Sequence, residues 1–146
     1  MVVKKIPDGY HTITPILVND DADRVLEFMK KVLGAAEVFM SRRPDGKIWH
    51  AEVQIGDSRL MMGDSKEDAP ARKTALSLYV DDVDATYKLA LASGAKSVRE
   101  PADQFYGDRS AGVEDAAGNS WWLSTHVEDV SPEELEKRMK AMEGQH

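Results

Sequence analysis

Two stretches of this 146-residue chain read as copies of one another. Ile16 to Gly34 (ILVNDDADRVLEFMKKVLG) and Leu76 to Gly94 (LSLYVDDVDATYKLALASG) each run from an apolar, strand-like segment through a doubled aspartate into a helix closed by glycine. Asp20-Asp21-Ala22-Asp23 precedes Asp81-Asp82-Val83-Asp84 by 61 residues, and Gly34-Ala35 precedes Gly94-Ala95 by 60. That period is too long for a solenoid unit and too short for two independent domains, so the halves are expected to complete one core between them. Function is expected where they meet.

The order of elements repeats as well. His11 to Val18 is β-branched and apolar, as a strand should be, and Asp20 or Asp21 can accept the first free N–H groups of the helix that follows. In that helix Val25, Leu26, Met29, Val32 and Leu33 fall at three- and four-residue steps, while Lys30 and Lys31 complement the carboxyl-end dipole before Gly34. Val38 to Arg42 and Ile48 to Ile55 read as strands joined at Pro44-Asp45-Gly46, and Gly56-Asp57-Ser58 turns into a strand from Arg59 to Met62. The second half offers a strand from Ala75 to Val80 and a helix stripe of Val83, Tyr87, Ala90 and Leu91. Strands at Lys96 to Arg99, Ser110 to Glu114 and Ser120 to Thr125 follow, the last two joined at Ala116-Ala117-Gly118-Asn119. The expected class is α+β: two βαβββ modules, about 10–64 and 74–126, joined by the polar linker 65–73. Ser131-Pro132-Glu133-Glu134 is a capping box with proline at the first helical position, which predicts a short tail helix over 131–143.

Composition removes several functions. Without cysteine there is no disulfide, thiolate metal site or cysteine nucleophile. A net charge of −7 argues against sequence-independent nucleic-acid binding, which needs a basic surface, and permits a cationic ligand. The opening MVVKKIPDGYHT has no long apolar run after its lysines, so neither a secretory signal nor a membrane span is expected and the cytoplasm is the expected location. No G-x-S-x-G elbow, phosphate-cradling glycine loop or G-x-G-x-x-G is present.

The paired βαβββ arrangement resembles the vicinal oxygen chelate superfamily of glyoxalases, bleomycin- and fosfomycin-resistance proteins and extradiol dioxygenases. Within it the chain is similar to the PhnB-like branch. That likeness rests on Tyr10-His11-Thr12-Ile13-Thr14-Pro15, on His50-Ala51-Glu52 with Ile55-Gly56-Asp57-Ser58, on Ala102 through Ser110 (ADQFYGDRS), and on Thr125 through Val130 (THVEDV). The resemblance implies sheets curled around a cavity, helices on the convex face, and a divalent metal held by one side chain from the first and last strand of each module. Those positions fall on Thr14, on Ala75 (or Ser77 if the strand is slipped by two), on Met61 and on Trp122. None suits Zn²⁺, Ni²⁺ or Fe²⁺, which want imidazole or carboxylate. The expectation is therefore a protein with no metal and no cofactor.

Strand alternation puts His50, Glu52 and Gln54 on one face of their strand, opposite apolar Ala51, Val53 and Ile55. His50 and Glu52 make half a metal site at most, or a hydrogen-bonded pair in a pocket wall. The expected ligand pocket is His50, Glu52, Met61, Ser77, Tyr79 and Trp122, with Gln104, Tyr106 and Arg109 at its mouth. In the 104–109 loop, two aromatics beside a glycine could close over a flat ligand while the Arg109 fork anchors an anion. The alternative is that Phe105 and Tyr106 only plug the mouth while Arg109 pairs with Asp103 or Asp108. Trp121 and Trp122 point to opposite faces, one under the helices and one into the cavity. His11 and His126, at element ends, and terminal His146 read as surface or packing residues. Two functions follow: a metal-free small-molecule-binding homodimer, or a metal-dependent lyase, isomerase or dioxygenase using His50 and Glu52.

Overall fold

The computed structural model describes residues 2–144; His146 lies outside them. Two four-stranded mixed sheets and three helices make up the described chain. The first sheet is built from β1 (Ile16–Asn19), β2 (Ala36–Arg42), β3 (Ile48–Ile55) and β4 (Ser58–Asp64), ordered β1-β4-β3-β2, with α1 (Ala22–Leu33) between β1 and β2. The second repeats it with β5 (Ala75–Tyr79), α2 (Val83–Ala92), β6 (Lys96–Asp103), β7 (Asp108–Glu114) and β8 (Ser120–His126), ordered β5-β8-β7-β6. In each sheet the first strand runs parallel to the last and the remaining pairings are antiparallel. α3 (Pro132–Glu143) is the tail helix. By density of contact the chain divides into a first unit running to Thr74, which also takes in Asp115–Asn119, and a second made of Ala75–Glu114 and the chain from Ser120.

Periodicity explains most of the packing in the first unit. Ala22, Val25, Leu26, Phe28, Met29 and Val32 of α1 are buried, as are Leu17, Ala51, Val53, Leu60 and Met62 on the sheet. Leu33, expected in the stripe, is half-buried. In the second unit α2 buries only Val83 and Ala90, with Tyr87 half-buried and Leu91 exposed, while Ala111, Val113, Trp121 and Leu123 are buried on the sheet. Trp121, at 1% exposure, is the largest of these side chains, and truncating a core tryptophan to alanine costs about 3–5 kcal/mol.

Several boundaries move from the sequence expectation. β1 begins at Ile16, not His11. Pro15 has no N–H for the ladder, although its carbonyl still accepts from Met61 N–H at 2.9 Å. Neither Asp20 nor Asp21 caps α1: Asp21 is in the left-handed region at φ 60° and its side chain accepts no capping bond. The cap comes from the end of β4 instead, where Asp64 Oδ1 accepts from Ala22 N–H at 2.8 Å and Oδ2 accepts from Ile48 N–H at 2.7 Å. α2 follows the local rule, with Asp82 Oδ1 accepting from Ala85 N–H at 3.1 Å. α3 does too, with Ser131 Oγ accepting from Glu134 N–H at 3.1 Å.

The turn 115–119 belongs with the first unit through a buried amide pair. Asn119, 0% exposed, donates to Asn19 Oδ1 at 3.0 Å and accepts from Thr74 N–H at 3.0 Å, while Asn19 Nδ2 donates to the Arg72 carbonyl at 3.0 Å. Asp115 holds the turn by accepting from Ala117 N–H at 2.9 Å and Asn119 N–H at 3.0 Å. Buried polar groups satisfied this fully specify one arrangement of the turn.

Candidate functional site

In the second unit, alternation and register decide which side chains share the face away from α2. Ser77 lies opposite Trp122, which lies opposite Gly112; Tyr79 lies opposite Ser124, which lies opposite Ser110; His126 lies opposite Asp108. All are on this open face. Trp121, Leu123 and Thr125 take the other face, where Thr125 Oγ1 accepts from Val83 N–H at the start of α2 at 3.0 Å.

Two polar clusters stand on the open face. In the first, Tyr79 Oη donates to Asp108 Oδ2 at 2.8 Å, and the His126 ring lies between Asp108 Oδ1 at 2.8 Å and Asp129 Oδ1 at 2.7 Å. The Asp108 carboxylate holds the Tyr79 hydroxyl above its ordinary range, so Tyr79 stays a neutral phenol. Asp108, and then Asp129, raise His126 by stabilising its imidazolium. In the second cluster the Arg99 guanidinium lies 5.0 Å over the Trp122 ring and donates to Ser110 Oγ at 2.6 Å. Glycine is required at 112 because a Cβ there would stand 2.6 Å from Cζ3 of Trp122.

Arg109 is not part of this face: of the two readings left open in sequence, an anion anchor at the mouth or a pair with Asp103 or Asp108, the pair with Asp103 is the one found. The 104–109 segment is not a long loop. Gln104 N–H donates to the Asp108 carbonyl at 2.7 Å and Gly107 N–H to the Gln104 carbonyl at 3.2 Å, so a tight turn ends where β7 begins at Asp108. Arg109 then alternates onto the face of Ala111 and Val113. There it grips Asp84 of α2 through Nε at 2.7 Å and Nη2 at 3.0 Å, and reaches Asp103 at 3.3 Å. These carboxylates raise Arg109 above its ordinary range and Arg109 lowers Asp84.

Phe105 and Tyr106 meet edge to face at 5.2 Å in the turn, with Tyr106 exposed and Gln104 half-buried. Arg138 of α3 donates to the Phe105 carbonyl at 2.9 Å and pairs with Glu128 at 2.6 Å, tying the tail to this turn. Gly107, at φ +101°, leaves no room for a side chain, since a Cβ would stand 2.3 Å from the Glu128 carbonyl oxygen.

On the first sheet the open face carries Ile16, Met61, Glu52 and Phe39 as cross-strand neighbours. His50 lies 3.2 Å from Glu52 Oε2 and 6.0 Å from the Phe39 ring centroid. Pairing skips Trp49, a bulge that leaves Ile48 buried and Trp49 61% exposed. Gln54 accepts from Arg59, whose guanidinium lies 5.0 Å over Tyr10.

A divalent metal does not fit the positions that the resemblance assigns to it. Thr14 lies ahead of β1, and the first- and last-strand positions facing the open sides are Ile16, Val18, Met61 and Gly63 in one unit and Ser77, Tyr79, Trp122 and Ser124 in the other. None of these offers imidazole or carboxylate; His126, farther along β8 on the same face, does, and its ring is engaged by Asp108 and Asp129. Among the described residues no three histidine or acidic side chains are grouped to hold an ion.

Sequence reasoning missed Arg99, Asp108, Ser110 and His126. The available signal was period-two alternation carried back through Ser110 to Asp108. Arg99 gave none, because β6 is irregularly registered on both sides of it.

The family model for the Glyoxalase/Bleomycin resistance protein/Dioxygenase superfamily matches residues 10–123. An uncharacterized protein of Mycobacterium bovis is 32% identical over 140 residues, covering 88% of this chain and 92% of that one, and one of Mycobacterium tuberculosis strain H37Rv is 32% identical over 82% of its length. Among solved structures, TioX from Micromonospora sp. ML1 is similar at TM-score 0.67 and 24% identity, over 79% of this chain and 99% of that one. The fosfomycin resistance protein FosX from Mesorhizobium loti is similar at TM-score 0.60 and 19% identity, over 88% and 97%. The sheet order seen here agrees with that fold, and the chain belongs to the glyoxalase/bleomycin resistance protein/dioxygenase superfamily.

Proposed function

We propose that this is a small-molecule-binding member of the superfamily, of its PhnB-like branch, working without the usual divalent metal and as a homodimer. One observation carries the reading: Thr14, Ala75 or Ser77, Met61 and Trp122 stand at the positions the resemblance assigns to metal ligands, and none offers imidazole or carboxylate. The reading also draws on aromatic side chains exposed on or beside the sheets, Phe39 at 50%, Trp49 at 61% and Tyr79 at 67% exposure, since aromatic groups are common in the linings of ligand sites. The homodimer reading draws on Ile13 and Ile16, 83% and 62% exposed before and at the start of the edge strand β1, and on the edge strands of the two open sheets.

A second reading, a lyase, isomerase or dioxygenase using His50 and Glu52, draws on their 3.2 Å contact. Elemental analysis of the purified protein separates the two. The binding reading expects no stoichiometric zinc, nickel, manganese or iron, and tight Ni²⁺ or Zn²⁺ uptake lost in His50→Ala would overturn it. For the dimer, a monomeric mass by light scattering at micromolar concentration would sink the proposal.

A further inference from the structure

We infer that Arg99, held against Trp122 and Ser110 on the open face of the second sheet, anchors the carboxylate of a small aromatic acid. This names a ligand class for the binding protein proposed above and rests on that reading. Arg24, Arg42, Arg43, Arg109 and Arg138 each pair with a carboxylate. Arg99, like Arg59 and Arg72, pairs with none among the described residues, although the chain carries 26 acidic residues against 19 basic ones. An exposed guanidinium left without a counterion in so acidic a chain is available to one from outside.

It is also held in position. The guanidinium carbon lies 5.0 Å over the Trp122 ring, and the hydroxyl of Ser110, itself 2% exposed, takes one N–H of Nη2 at 2.6 Å. The ring contact uses none of the five N–H donors and Ser110 uses one, so the others are free to form the planar fork that a carboxylate meets with two parallel bonds. Much of the rotamer entropy that a free arginine loses on binding is already lost here. Gly112 leaves room for Trp122 there, since an added Cβ would stand 2.6 Å from Cζ3 of its ring.

The neighbours suit an aromatic acid. Asp108, on the same strand face two residues from Ser110, would oppose an anion, but its oxygens are engaged by Tyr79 and by His126, whose raised basicity offsets the charge. The Tyr79 ring, 67% exposed and pinned through its hydroxyl, offers an aromatic surface on the same face.

The test is a nuclear magnetic resonance titration of the ¹⁵N-labelled full chain at neutral pH. Phenylacetate, benzylphosphonate, benzylamine and benzyl alcohol are the probes, and the readout is the Trp122 indole N–H, assigned with Trp122→Phe. Phenylacetate is expected to shift that signal saturably, benzylphosphonate to bind more weakly, and the amine and alcohol to leave it in place. Arg99→Gln should weaken phenylacetate by at least about tenfold, the worth of a charge-assisted hydrogen bond, and Ser110→Ala by less. Arg99→Lys should recover little of the loss, because it restores the charge without the fork. Backbone signals outside β6–β8 report that each variant is folded. An unchanged phenylacetate affinity in Arg99→Gln, an equal response to benzylamine, or tighter binding of benzylphosphonate would overturn the assignment. Saturable binding of the amine or alcohol at other signals, with phenylacetate silent, removes the anchor and leaves the binding-protein reading standing. Silence from all four probes removes the anchor and counts against that reading too.

Discussion

Replacing Asp64 by alanine tests how α1 is started. The Asp64 carboxylate, in a residue 8% exposed, accepts from the amides of Ala22 and Ile48 at 2.8 and 2.7 Å, and no local side chain substitutes for it, since Asp21 makes no capping bond. A hydrogen bond to a charged acceptor is worth about 1.5–3 kcal/mol net, so Asp64→Ala, which leaves two buried N–H groups without their acceptor, is expected to cost about 3–6 kcal/mol. Asp64→Asn keeps one acceptor and turns an amide toward the other N–H, so its loss should fall between wild type and Asp64→Ala. The comparator is Asp82→Ala at α2, where one exposed cap with an ordinary 3.1 Å bond is removed at a cost of about 1 kcal/mol. Urea unfolding followed by tryptophan fluorescence measures both. Trp49 reports on the first unit and Trp121 with Trp122 on the second, so single-tryptophan backgrounds show whether the units unfold together. If Asp64→Ala loses no more than Asp82→Ala, the account of Asp64 as a shared acceptor is wrong.

Three further outcomes are expected. Gly112→Ala places a Cβ 2.6 Å from the Trp122 ring, so it should cost about 1–3 kcal/mol and remove the phenylacetate response at Trp122, read by unfolding and titration together. Arg109→Gln should leave phenylacetate affinity unchanged, because Arg109 lies on the α2 face, and its small stability loss should shrink with added salt. Since His126 is raised above its ordinary 6.5 by Asp108 and Asp129, its contribution to stability is complete below 6.5 and is lost as pH rises through the higher folded value. Urea midpoints measured from mildly acidic to mildly alkaline pH should show that decline in wild type, and a slope that persists in His126→Gln would refute it.

How much of this was legible in the chain follows from where each signal resides. Side-chain period and cap chemistry are local, so α1, the tail helix and the strands Ile48–Ile55 and Ser120–His126 were readable within a residue or so, as was the doubled βαβββ order. The separation of Trp121 from Trp122 follows from the pleat alone. The cap of α1 was not readable, because its acceptor lies 42 residues away and reaches Ala22 only once β4 pairs with β1. Arg109 was left between two roles by one local judgement, and the pair with Asp103 is the one the fold makes. Extending the loop to residue 109 left its face undetermined, whereas closing the turn at Gly107 makes Asp108 the first strand residue and sends Arg109 to the helices. The same shift brings Asp108 beside Tyr79 and His126, 29 and 18 residues distant, while Ser110, already read as a strand residue, meets Arg99 from β6. Sequence determined which residues could alternate, cap or stack. Only tertiary pairing decided the register, and because the strand period is two, a single residue of register decides whether a charged side chain meets a helix or faces a ligand.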